Sequence, residues 1–254
     1  MIELENPPGS VVRIEAQKAA TDNGFRLERG IENGWLHYGS TTARGSLWIA
    51  SASSQGPWLI SIDHSGVAAE IGELLPSPVS GPGLASYMFA TLAQLYAALD
   101  RVYKLSVSLP DAPLARFQAK TADLPRTTEA ERLVIQRVGQ DVFRDALMQY
   151  WGGRCPLTGI TDPALLRASH IVPWADCSDE QRLNVHNGLL LSALWDAAFD
   201  QGLVSFADDG TPLGSPKLSP IARTVLGLDS APLLRGLQDP HRANLALHRT
   251  RHGF

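Results

Sequence analysis

The chain has 254 residues, a formal net charge of −4, a hydrophobic fraction of 44% and a charged fraction of 19%; these values allow one large or two small globular domains and exclude wholesale disorder. The acidic balance excludes a general polycation, although a protein that acts on nucleic acid can be acidic overall when its cations are clustered. The longest apolar runs are far too short to span a bilayer, no basic or apolar leader follows Met1, and Cys155 and Cys177 make neither a disulfide framework nor a CxxC knuckle, so a cytoplasmic protein without a membrane span is expected.

The cations are almost all arginine: only Lys18, Lys104, Lys120 and Lys217 are lysines. Arginine suits bidentate phosphate contacts, and high-GC coding bias produces the same skew. After a Pro/Gly-rich lead, Val11 to Ala20 reads as a short helix with Ser10 as its N-cap. The pattern then changes to short apolar segments between turn residues. Residues 25–27, 35–38, 46–50, 58–62 and 67–71 are expected to be strands, with Glu32-Asn33-Gly34 and Asp63-His64-Ser65-Gly66 as turns. Leu84 to Lys104 carries Leu84, Met88, Leu92, Leu95, Leu99 and Val102 at spacings of three and four, which predicts one long helix, read as packing on the sheet before it is read as a dimer helix. The proline-rich stretch from Leu109 to Leu124 is the expected domain boundary.

Thr127 to Trp151 predicts a second strong helix, opened by a capping box of Thr128 and Glu131, with Gly139 as a point of kinking or division. Ala207-Asp208-Asp209-Gly210 is expected to turn a hairpin. Residues 221–226 and 240–251 are expected to be helical, with Gly227 ending the first. The tail also carries His241, His248 and His252.

The informative stretch runs from Cys155 to Phe206. Ser169-His170-Ile171 ends one apolar run, Asn187-Gly188 opens another, and a helical pattern then sets Asp196 and Asp200 four residues apart. Carboxylates at i and i+4 share a helix face and can address one ion. A neutral imidazole is a good general base near neutral pH, and a hard divalent cation can hold a phosphate oxygen beside a leaving oxygen. These residue types at these spacings suit hydrolysis of a phosphodiester at a single metal ion.

Ser169-His170-Ile171, Asn187-Gly188-Leu189-Leu190-Leu191 and Asp196-Ala197-Ala198-Phe199-Asp200 together resemble the HNH (ββα-metal) endonuclease motif, and more narrowly the HNH domains of bacterial restriction-type endonucleases. Arg137-Val138-Gly139-Gln140, Phe143-Arg144, Cys155-Pro156-Leu157-Thr158-Gly159, Ile171-Val172-Pro173-Trp174 and Gly202-Leu203-Val204-Ser205-Phe206 resemble that group as well. The resemblance runs from about Thr127 to the C-terminus. It implies strand, long loop, strand and helix, with His170 as general base and Asn187 fixing the loop and orienting the histidine. Asp196 then stands as a metal ligand where the motif usually has its final histidine. Asp200 becomes a second ligand or a structural residue at the turn. The residue before the base is Ser169, where the family often has an Asp or His that binds metal. The resulting oxygen set favours Mg²⁺ or Mn²⁺ over Zn²⁺.

Arg167 and Arg182 flank this stretch as candidates for phosphate contact or as solvated side chains. His186 is read as a solvent-facing loop residue before it is read as a ligand, Asn184 as a turn former, and Trp174 as a packing residue. Cys155 and Cys177 lack the companions of a zinc site.

The expectation is an α+β protein. Residues 1–120 form a small antiparallel sheet packed with a long helix, and residues 121–254 form a mostly helical HNH domain. The resemblance implies a metal-dependent endonuclease of double-stranded DNA with a restriction- or defence-like role, and modified DNA is a target suggested by analogy. A low-specificity nuclease or nickase is the alternative within enzymes, and an inactive scaffold that binds DNA or a partner is the alternative outside them. One such site cuts one strand, so a double-strand break calls for a homodimer or two successive visits. Residues 1–120 carry nine basic and eleven acidic side chains and so form no basic clamp. Trp35, Trp48 and Trp58, with Arg44, are read there either as core or as a surface for stacking on a base.

Overall fold

A computed structural model describes residues 2–71, 74–125 and 127–254. The chain divides after Ala112 into two compact units.

The first unit opens with α1 (Ser10–Asp22), whose buried Val12, Ala16, Ala19 and Ala20 recur on one helical face. Five strands follow: β1 (Leu27–Glu32), β2 (Trp35–Gly39), β3 (Leu47–Ser51), β4 (Trp58–Ile62) and β5 (Ala85–Phe89). They pair in sequence order as an antiparallel meander. Asn33 and Gly34 both have positive φ, the requirement of the two-residue turn that matches hairpin twist. Residues alternate across the pleat, so Leu36, Tyr38, Leu47, Ile49, Ile60 and Ile62 share one buried face. Two helices complete the unit, α2 (Ser65–Glu70) and α3 (Leu92–Ser108). α3 buries Leu95, Leu99, Val102 and Leu105 and packs on β4 and β5.

Several expectations fail in this unit. Gly9, not Ser10, is the N-cap of α1, and the strand expected over 25–27 begins only at Leu27. Residues 67–71 do not form a strand. The His64 ring accepts the Val67 N–H at 3.4 Å and caps α2, so the apparent turn at 63–66 starts a helix. Leu84 to Lys104 is not one helix either: residues 85–89 pair with all five residues of β4 as β5, and the helix begins only after the Thr91–Gln94 capping box. Met88 matches the helical stripe by spacing alone. The buried β4 needed a partner on its open side, and that tertiary demand overrides local period.

In the second unit, α4 (Asp111–Thr121), whose first two residues fall in the first unit, occupies the stretch expected to hold the domain boundary and buries Pro113, Phe117 and Thr121. α5 (Glu129–Tyr150) is capped by the expected Thr128–Glu131 box and runs unbroken through Gly139. Gly139 makes room and does not kink the helix: a Cβ there would stand 2.7 Å from Trp174 Cη2. β6 (Leu166–His170) and β7 (Gly188–Ser192) form an antiparallel pair with His170 opposite Gly188. Between them lies a long loop containing α6 (Asp179–Arg182). α7 (Ala193–Asp200) follows β7 directly. The hairpin of β8 (Val204–Phe206) and β9 (Pro212–Gly214) comes next, then α8 (Pro220–Leu226), ended by left-handed Gly227, and α9 (Asp239–His252). The order β6, loop, β7, α7 is the strand, loop, strand and helix expected from the sequence. Among the described residues, no helix is long and apolar enough to cross a membrane.

Candidate active site

A cleft of about 500 Å³ opens where β6, the loop after it, α7 and α9 meet. Its walls include Ser169, His170, Trp174, Asp196, Asp200, Gln201, His248 and His252. The fold thus brings the imidazole from the end of β6 and both carboxylates of α7 to one cleft.

His170 ends β6 with its ring stacked on Phe143 of α5, centroids 3.8 Å apart at 16°. Trp174 meets the ring edge-on at 5.4 Å. Its Nε2 lies 2.9 Å from the carbonyl oxygen of Arg182. A carbonyl only accepts, so Nε2 carries the proton and Nδ1 presents a lone pair. Burial pushes the pKa of His170 below the usual imidazole value. The Arg182 charge adds to this and the hydrogen bond to the Arg182 carbonyl opposes it. The group is therefore a neutral imidazole of fixed tautomer.

Asn187 is buried below the cleft and does not line it. Its Oδ1 accepts the Val172 N–H at 2.8 Å. Its Nδ2 donates to the carbonyls of Val172 at 3.2 Å and Gln181 at 3.3 Å, and meets Cys177 Sγ at 3.4 Å. These bonds tie both ends of the loop between β6 and β7. That loop carries the Arg182 carbonyl, so Asn187 acts on His170 through the loop, while Phe143 and Arg182 hold the ring itself.

α7 presents Asp196 and Asp200 one turn apart. Asp196 is half-buried and Asp200 exposed. Burial raises the Asp196 pKa, and the Asp200 charge raises it further. A hydrogen bond from Ser169 and the nearby charge of Arg167 act the other way. Two like-charged carboxylates facing one cleft are relieved by a cation. Mg²⁺ often takes one or two protein carboxylates, with water and phosphate oxygens completing its shell. Among the described residues there is no cluster of three or more His, Cys, Asp or Glu set to hold a metal. The donors present therefore fit a hard cation completed by substrate, and they do not fit a closed zinc site.

The flanking arginines are engaged elsewhere. Arg167 donates to the carbonyls of Ala164 at 2.9 Å and Leu166 at 3.0 Å. Arg182 donates to the Trp174 carbonyl at 2.8 Å and to Asp179 at 3.0 Å, with its guanidinium over the Trp174 ring at 5.2 Å. Neither lines the cleft. His186, expected to face solvent, is half-buried and packs edge-on against Tyr150 and His241. Asn184 accepts the His186 N–H at 2.9 Å, as a turn former would. Trp174 packs, as expected, and also walls the cleft. Cys155 and Cys177 are buried and free.

Sequence reasoning assigns α9 no role in the site. His248 is buried and stacked on Phe199 at 3.9 Å and 5°. Its Nε2 lies 3.1 Å from the Phe199 carbonyl and its Nδ1 2.9 Å from the Ser205 hydroxyl. Burial pushes its pKa down to about 4, helped by the charges of His252 and Arg251 and opposed by the Phe199 hydrogen bond and Asp200. His252 follows one helical turn on, its ring 4.5 Å from that of His248. The signal in the sequence was the pair of histidines at i and i+4 on one predicted helix, but nothing local says what that face meets.

No match to the chain was found among curated proteins. Residues 155–207 match the family model described as HNH endonuclease. That segment contains β6, the long loop, β7, α7 and β8, so an HNH endonuclease domain lies in the C-terminal half of the chain.

Proposed function

We propose that the protein is a metal-dependent DNA endonuclease that hydrolyses phosphodiester bonds, with His170 as its general base. The observation that carries this reading is the fixed tautomer of His170: Nε2 is spent on the Arg182 carbonyl, no described residue hydrogen-bonds Nδ1, and His170 lines the same cleft as Asp196 and Asp200. In this reading Nδ1 takes a proton from the attacking water. The new bond forms between water oxygen and phosphorus, the bond to the 3′ oxygen breaks, and a solvent proton neutralises the leaving oxygen. A divalent cation held by Asp196 and Asp200, Mg²⁺ or Mn²⁺ by the oxygen donors, supplies charge neutralisation at the phosphate. Asn187 keeps the loop that presents the Arg182 carbonyl, Trp174 shields one edge of the base, and Ser169 orients the Asp196 carboxylate. Arg167, exposed beside Asp196, and Arg182 contact flanking phosphates in this reading, Arg182 by giving up Asp179.

We place target choice in residues 1–120 and cleavage in residues 121–254, in a restriction- or defence-like role that includes modified DNA. Trp35 and Trp58 are core residues, 3% and 1% exposed. Trp48 is half-buried and stacks on His37 at 4.6 Å and 17°, which makes it the tryptophan suited to stacking on a base. A second reading, a scaffold that binds DNA without cutting, draws support from Ser169 and from Asp196 at the usual histidine position. Plasmid DNA incubated with protein and Mg²⁺ or Mn²⁺, beside His170→Ala, tests the proposal. Metal-dependent cleavage lost in the variant is expected. Cleavage that survives the substitution removes His170 as base, and no cleavage of modified or unmodified DNA with either metal favours the scaffold.

A further inference from the structure

We propose that His252, in the last turn of α9 and beyond the family-matched segment, is a further catalytic residue that donates a hydrogen bond to the scissile phosphodiester in the His170–Asp196 cleft. This rests on the nuclease reading above.

A phosphodiester is an anion, and Asp196 and Asp200 repel it unless a cation lies between. No lysine or arginine is among the described residues that line the cleft. Its walls offer three imidazoles. His170 spends Nε2 on the Arg182 carbonyl and keeps Nδ1 as the base. His248 has both nitrogens engaged, by Phe199 and Ser205. His252 is half-buried, and among the described residues no hydrogen bond engages either of its ring nitrogens. Gln201, the neighbouring amide on the wall, donates to Asp200 at 2.9 Å. The Ser169 hydroxyl serves Asp196. His252 is the imidazole left with a donor to give.

The ring is also held in place. The Nδ1 side lies against Gly202, so closely that a Cβ there would collide with Nδ1 and Cγ. Gly202 adopts a left-handed φ of 63° and leaves the space the ring occupies. The helix end is fixed by neighbours of His252: Arg251 pairs with Asp176 of the loop after β6 at 2.7 Å, and Arg249 donates to the Phe206 carbonyl at 2.7 Å. A positioned donor pays little ordering entropy when substrate arrives.

The test compares wild type with His252→Ala, His252→Gln and His170→Ala on plasmid DNA across a Mg²⁺ titration. His252→Ala should lower kcat by about 10- to 100-fold, the effect of one hydrogen bond to a charged group. The Mg²⁺ concentration for half-maximal activity and the thermal midpoint should not move. His252→Gln, which keeps an N–H donor, should recover part of the loss. Cleavage by His252→Ala at the wild-type rate overturns the proposal. So does a loss that excess Mg²⁺ restores, which makes His252 a metal ligand, or a loss matched by a lower thermal midpoint and not relieved by glutamine, which makes it structural. These outcomes presuppose an active wild type and an inactive His170→Ala; if that pair fails, the nuclease reading fails and takes the His252 role with it.

Discussion

Acid should loosen the C-terminal wall of the cleft before it affects much else, because α9 is anchored by two neutral buried histidines. His241 is fully buried and accepts the Gln238 N–H at 3.1 Å. Burial pushes its pKa down to about 3, with the charges of His186 and Arg242 adding to the shift and the Val185 carbonyl opposing it. His248, 4% exposed, is pushed down to about 4. Unfolding restores both to the usual value of 6.5. Between pH 6.5 and the folded values the unfolded chain therefore binds more protons, and stability rises with pH there. It is fully present above about pH 6.5 and is lost as pH falls towards 4. Each histidine costs about 1.4 kcal/mol per pH unit in that window, so at pH 5 the two together remove about 4 kcal/mol. That is a large part of a typical folding free energy of about 5–15 kcal/mol. Urea unfolding at half-unit steps from pH 7.5 to 4.5 measures the slope, with His248→Gln alongside. The variant should be less stable at pH 7.5, yet its slope should be shallower by about one proton. An unchanged slope would refute the claim that His248 is held neutral by burial.

Further outcomes follow from the site. His170→Ala should reduce cleavage by about 10²- to 10⁴-fold, the usual worth of a general base, and the acid limb of wild-type kcat/KM should fall below pH 6.5 because burial lowers the His170 pKa. Chelation should abolish activity and Mg²⁺ or Mn²⁺ restore it, while Asp196→Asn should raise the metal concentration required, as read from nicking rates. Asn187→Ala should destabilise by about 2–3 kcal/mol in urea melts, since it leaves buried loop groups unpaired, and should slow cleavage as the Arg182 carbonyl drifts. Gly139→Ala should destabilise by about 1–3 kcal/mol by overpacking against Trp174; a neutral or stabilising result would mean that the ring moves freely.

Much of the site could be read in the sequence because its signals are local. The spacing of Asp196 and Asp200 puts both on one face of any helix. Thr128 with Glu131, Asn33-Gly34 and Gly227 fix caps and a turn through their own backbone geometry. The family-like order from Cys155 to Phe206 places His170, Asn187 and the carboxylates on the right elements. What sequence alone could not decide depends on partners distant in the chain. Residues 85–89 became a strand because β4 lacked a neighbour, and 67–70 joined a helix because His64 caps it. Gly139 is small because Trp174, 35 residues on, comes to rest there. His186 turned inward, and Arg167 and Arg182 found backbone carbonyls to bind. Above all, the fold carried His248 and His252 from the far end of the chain to the wall of the cleft. Composition and spacing describe what a segment can do on its own; which face it buries, and against what, is set by the packing of the whole unit.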